Sequence, residues 1–81
     1  MMTTTELAQV LFSTALQPSD ELSPFQIRQA VDARLCACGG DPSRCASYVA
    51  QEAGDHPETY VRRMRWALGA VADAYATAVA A

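Results

Sequence analysis

Three cysteines and a single histidine, Cys36, Cys38, Cys45 and His56, are the residues of this 81-residue chain whose types suit a metal. Zinc takes thiolate and imidazole ligands in tetrahedral sites, so the four together have the right chemistry. Their spacing does not. Cys36 and Cys38 lie two apart in a segment of helical pattern, which sends them to roughly opposite sides: Cys38 towards an apolar stripe, Cys36 towards the wet side with Gln29 and Asp32. No C-x-x-C knuckle is present. The expectation is no metal and no cofactor, with Cys38 and Cys45 as small buried hydrophobes. A disulfide from Cys38 to Cys45 across the Gly39-Gly40 turn is sterically conceivable, and a reducing cytoplasm disfavours it.

His56 as a catalytic base would need a nucleophile and an orienting partner. Neither is identifiable. No paired acid and base, phosphate loop or activated nucleophile can be picked out, so no catalytic residue, enzyme activity or small-molecule substrate is expected. His56 reads instead as a turn or capping residue between Asp55 and Pro57. Arg62, Arg63 and Arg65 form a basic cluster suited to an acidic partner or an anion, against the ordinary reading of a solvated face paired with Glu58 and Asp55. With a net charge of -3, a pI near 4.8 and 51% hydrophobic residues, the chain is globular and lacks the basic excess of a general nucleic-acid or anionic-membrane binder. All six basic residues are Arg, which with the abundant Ala suggests high-GC bacterial coding.

Helices must position these residues. Thr3-Thr4-Thr5-Glu6 fits a capping box and predicts a first helix from about Thr4 to Leu16, apolar on two sides through Leu7 and Leu11 and through Phe12 and Leu16. Pro18 breaks it. Ser23-Pro24-Phe25-Gln26 starts a second helix with Ile27, Ala30, Val31, Leu35 and Cys38 as its core stripe, and Gly39-Gly40 ends it in a left-handed cap. Asp41-Pro42 opens a short third helix carrying Cys45, Ala46, Val49 and Ala53. Asp55-His56-Pro57-Glu58 opens a long fourth helix, from Pro57 to Val79, with Asp55 or His56 as its cap. On it Tyr60, Val61, Met64, Leu68, Val71, Ala72, Tyr75, Ala78 and Val79 form a stripe centred on Val61, Leu68 and Tyr75. Leu68, mid-stripe, is expected to be among the most buried side chains. The fold class is therefore all-α: four helices in one domain over 1–81, three shorter ones packed on a long C-terminal helix.

Leu11-Phe12 with Leu16-Gln17-Pro18-Ser19-Asp20, then Val49-Ala50-Gln51-Glu52, then Gly54-Asp55-His56-Pro57-Glu58 running on to Arg63-Met64-Arg65-Trp66-Ala67 form a pattern over most of the chain. It resembles a group of small, uncharacterised actinobacterial proteins. The resemblance implies an all-helical fold and no activity. The cysteine-bearing turn from Cys36 to Cys45 departs from that pattern, which argues against a family-wide metal site.

The function expected is a protein–protein interaction module that includes self-association as a dimer. The alternative is a DNA-binding or transcription-associated domain, with the second and third helices as a helix-turn-helix. Its recognition helix would carry only Arg44 against Glu52, poor equipment for phosphates and base edges, so nucleic acid is disfavoured. Trp66 stands opposite the centre of the fourth-helix stripe, beside Arg62 and the small residues Gly69, Ala70, Ala74 and Thr77. Two readings follow. Phe12, Leu16, Arg62 and Trp66 line a helix-to-helix dimer contact, or the first helix crosses this back face and buries Trp66 within the chain. No apolar run is long enough for a membrane span, and the amino terminus lacks the basic start and apolar segment of a signal peptide, so a cytoplasmic location is expected.

Overall fold

The computed structural model describes residues 2–80, with side chains through Ala76. Its elements are α1 (Thr4–Phe12), a 3₁₀ turn (Pro18–Asp20), α2 (Pro24–Ala37), α3 (Pro42–Asp55) and α4 (Pro57–Ala80). Three shorter helices pack on the long last one, which touches each of them. At a rise of about 1.5 Å per residue, the 24 residues of α4 account for most of the 39 Å long axis.

Local chemistry explains the helix starts. Thr3 and Glu6 close a reciprocal capping box, as do Ser23 and Gln26, satisfying amides that no helical carbonyl can reach. The Asp41 carboxylate accepts from the Ser43 amide at 3.0 Å and the Ser43 hydroxyl at 2.8 Å, and these bonds hold its pKa below the usual value. At the end of α2 the Gly40 amide donates to Leu35 O and the Gly39 amide to Cys36 O, with φ of +78° and +75°: a Schellman turn built on glycines. Between α3 and α4 stands one residue. The His56 amide donates to Glu52 O at 2.8 Å and its carbonyl accepts from the Tyr60 amide at 2.9 Å, so His56 takes the capping position rather than Asp55.

Two helix lengths differ from expectation. α1 stops at Phe12 instead of Leu16. The Ser13 and Thr14 hydroxyls each donate at 2.7 Å, to Val10 O and Leu11 O, and compete with continuation of the helix. α3 is not short. It has 14 residues, as many as α2, because Gly54 stays helical and the chain turns only after Asp55. Glu21 follows the 3₁₀ turn with φ of +50°, the left-handed region that non-glycine residues enter at a cost.

One apolar cluster joins all four helices: Ala8, Val10, Leu11 and Phe12 of α1, Ile27, Val31 and Cys38 of α2 and its cap, Cys45 and Val49 of α3, and Ala67, Val71 and Ala74 of α4. The α2 stripe lies where the sequence puts it, with Ala30 and Leu35 half-buried. α1 is buried on several sides because it touches each of the other three helices. The stripe assigned to α4 is rotated. Its buried line runs through Ala67, Val71 and Ala74, with Tyr60, Met64, Ala70 and Tyr75 half-buried, about 100° round from the expected centre. Leu68, expected in the core, is 37% exposed and Val61 45%; the Ala78 and Val79 side chains lie outside the described residues. Small alanines let neighbouring helices approach closely, so the face richest in large apolar residues is not the one the protomer buries.

Candidate functional site

Of the three clustered arginines, Arg62 and Arg65 face solvent while Arg63 turns inward. It lies about 40° from the Ala67 line, near enough for its guanidinium to reach the end of α1. There Nε and Nη2 donate to Phe12 O at 3.0 and 2.9 Å, Nη2 also to Thr14 O at 2.8 Å, and Nη1 to Leu16 O at 2.8 Å. A helix C-terminus presents carbonyls without intrahelical donors and a negative partial charge, and a planar five-donor cation meets both needs. The guanidinium carbon sits 5.2 Å from the Phe12 ring centroid and 4.9 Å from that of Trp66. Burial pushes the Arg63 pKa down, and the fields of Tyr48 and Glu52 push it back up. The group stays cationic.

This arrangement locates the four residues proposed from sequence for a dimer contact. Phe12, only 2% exposed, packs in the protomer core, with Tyr60 at 5.6 Å and Tyr48 at 6.4 Å between ring centroids. Leu16 and Trp66 are half-buried against that core, and Arg62 alone of the four is exposed. Among the small residues beside Trp66, Ala74 is buried, Ala70 half-buried and Gly69 exposed, while the Thr77 side chain lies outside the described residues. The end of α1 does reach Trp66, through Arg63.

Other arginines also serve as straps. Arg28 Nη1 donates to Ala74 O at 2.8 Å, tying α2 to α4, and Arg34 Nε donates to Ser13 Oγ at 3.1 Å.

Cys38 and Cys45 are not separate thiols. They form a disulfide with Cα atoms 5.9 Å apart, bridging the end of α2 to the first turn of α3 beneath the Gly39-Gly40 turn; Cys36 is free and exposed. Among the described residues no group of three or more His, Cys, Asp or Glu side chains is placed to hold a metal ion, and none of their helices is long and apolar enough to cross a membrane.

The surface that sequence reasoning missed is the other edge of α4. Val61, Leu68 and Tyr75 recur one heptad apart, with Met64 and Ala72 between them, and Val61, Leu68 and Ala72 are exposed. On the helical wheel Leu68 and Trp66 fall about 100° to either side of the buried Ala67 line, so these are two different edges. The signal was present as the widest apolar stripe of the sequence, taken there for the core. No protein-family model matches the chain, and neither the curated proteins nor the solved structures contain a match to it.

Proposed function

We propose that the protein is a small helical interaction module that pairs with a second copy of itself along the Val61, Leu68, Tyr75 edge of α4. One observation carries this reading: two large apolar side chains a heptad apart, Val61 and Leu68, stand 45% and 37% exposed on the longest helix. A seam of that period suits a second helix laid along it. A two-fold antiparallel pairing centred on Leu68 sets Val61 of one copy against Tyr75 of the other. It also turns Arg65, exposed towards the amino-terminal end of the seam, to the partner end where exposed Asp32 and, with opposite sign, Arg28 act electrostatically on Tyr75, the Arg28 guanidinium being bonded to Ala74 O. From Val61 to Tyr75 the seam is roughly 21 Å long and about 10 Å wide. That is less than a standard interface, and the pairing is weak.

Light scattering near 100 µM, a concentration suited to micromolar affinity, should give a mass approaching twice the 8.7 kDa of the chain. Leu68→Glu should return it to one copy with helical circular dichroism intact. A monomeric wild type, or a variant that still dimerises, overturns the seam; monomers from Trp66→Ala alone would move the contact to the opposite edge. The DNA-binding alternative loses support from Arg63, which is committed to the carbonyls of Phe12, Thr14 and Leu16 at and just after the end of α1 and leaves only Arg62 and Arg65 free of the cluster. The cytoplasmic location expected from the sequence stands beside a bridge that persists chiefly in oxidising compartments. Trapping thiols in intact cells separates the two, since bridged protein points to an oxidising compartment.

A further inference from the structure

Where the end of α1, the carboxyl half of α3 and the first turns of α4 meet, the surface opens into a cleft of about 360 Å³. Phe12 and Arg63 are among its lining residues. Tyr48 and Glu52 line one side, one helical turn apart on α3 and therefore on the same face; Thr59 and Tyr60 of α4 line another. Glu52 is half-buried, and no side-chain hydrogen bond or ion pair joins its carboxylate to another of the described residues. Arg63 is close enough to feel its field, yet Nε, Nη1 and Nη2 are all bonded to the carbonyls of Phe12, Thr14 and Leu16. Its charge is turned to the negative end of α1 and its fork is not offered to Glu52. Water still reaches that carboxylate, and a charged donor held beside it can replace the water with a direct, charge-assisted bond. Beside it stands the Tyr48 ring, 44% exposed and electron-rich on its faces.

We infer that this cleft receives a basic side chain, Arg or Lys, from a partner polypeptide. Its charged head meets the Glu52 carboxylate and its stem and head lie against Tyr48 and Tyr60. Cations sit over aromatic faces within about 6 Å of the ring centroid, and a guanidinium suits both the flat ring and the two-oxygen acceptor. The volume is at the low end for ligand sites and suits one side chain. This deepens the reading of an interaction module but uses a surface formed by α1, α3 and the start of α4, separate from the Leu68 seam.

The test is an amide-resolved NMR titration of the full chain with acetyl-Ala-Arg-Ala-amide, and with acetyl-Ala-Gln-Ala-amide as control. The Arg peptide should shift signals around Tyr48, Glu52 and Thr59, the Gln peptide should bind at least tenfold more weakly, and added salt should weaken only the former. Glu52→Gln, which keeps the side-chain shape, should reduce Arg-peptide affinity at least tenfold. Equal binding of the two peptides, unchanged affinity in Glu52→Gln, shifts confined to another surface, or no shifts at 10 mM peptide would each overturn the inference. Leu68→Glu should bind the Arg peptide as the wild type does, and Glu52→Gln should leave the scattering mass unchanged, so failure of one site is told apart from failure of the other.

Discussion

Replacing Arg63 by Met keeps a stem of similar length and deletes the fork that closes α1. Four hydrogen bonds are lost, at 3.0, 2.9, 2.8 and 2.8 Å, from one cation to three carbonyls. Bonds to a charged group contribute about 1.5 to 3 kcal/mol each, and simple addition would give roughly 6 to 12 kcal/mol. That sum is too large. The four bonds share one side chain and are not independent, the site is only partly buried so water reaches some of the freed carbonyls, and the variant no longer bears the cost of desolvating a guanidinium. The stacking on Phe12 and Trp66 adds about 0.5 to 1 kcal/mol per ring. About 3 kcal/mol remains. For a domain of this size the melting temperature should fall by roughly 12 to 24 °C. Urea unfolding followed by Trp66 fluorescence is the suited assay, because the indole lies under the guanidinium and reports the site itself. Arg63→Lys should recover less than half the loss, since an ammonium is a point charge without the planar fork. If Arg63→Met lies within about 1 kcal/mol of wild type, the carbonyls are equally well served by water and Arg63 does not hold α1. A Lys variant as stable as wild type would show that charge suffices and the fork geometry does not matter.

The Cys38–Cys45 bridge closes a loop of eight residues, 38 through 45, for which chain entropy gives about 2.5 kcal/mol. Reduction should lower the melting temperature by roughly 10 to 20 °C, and the denatured, unreduced chain should show one reactive thiol, Cys36, where a reduced chain shows three; three before reduction would refute the bridge. Two groups contribute pH dependence to stability, one in acid and one in alkali. Asp41 has a folded pKa below its unfolded value because Ser43 bonds its ionised form, so its contribution is present above about pH 4 and is lost as pH falls through the lowered folded value. Tyr75 is raised by burial first, then by Asp32, against an opposing effect of Arg28, so the folded chain holds the phenolic proton more tightly and loses stability as pH rises from about 10 through the raised value. Tyr75→Phe should flatten the alkaline limb and Asp41→Asn the acid limb in urea midpoints; a limb unchanged by its substitution would refute that assignment.

Local signals in this chain were legible because they depend on neighbours in sequence. Both capping boxes, the glycine turn after α2 and the α2 stripe stand where residue spacing puts them, since each is decided within a few residues. What was not legible depends on residues far apart. α1 ends early where the neighbouring Ser13 and Thr14 hydroxyls take Val10 O and Leu11 O, but the guanidinium that meets the Phe12 carbonyl comes from 51 positions away, and no local signal announces it. The α4 face was misread for a related reason: a helix stripe reports where apolar residues lie, not which of them the same chain covers. Ala67 and Ala74 are too small to dominate a pattern, yet beside Val71, which the stripe did include, they let α4 lie close to its neighbours, and Val61 and Leu68 are left outside. Reading the strongest stripe as the core therefore assumed that one copy buries all of its apolar surface. If a second copy covers the seam, the stripe was read correctly as buried and only the owner of the covering surface was wrong, and the Leu68→Glu mass measurement decides between that account and a seam that stays wet.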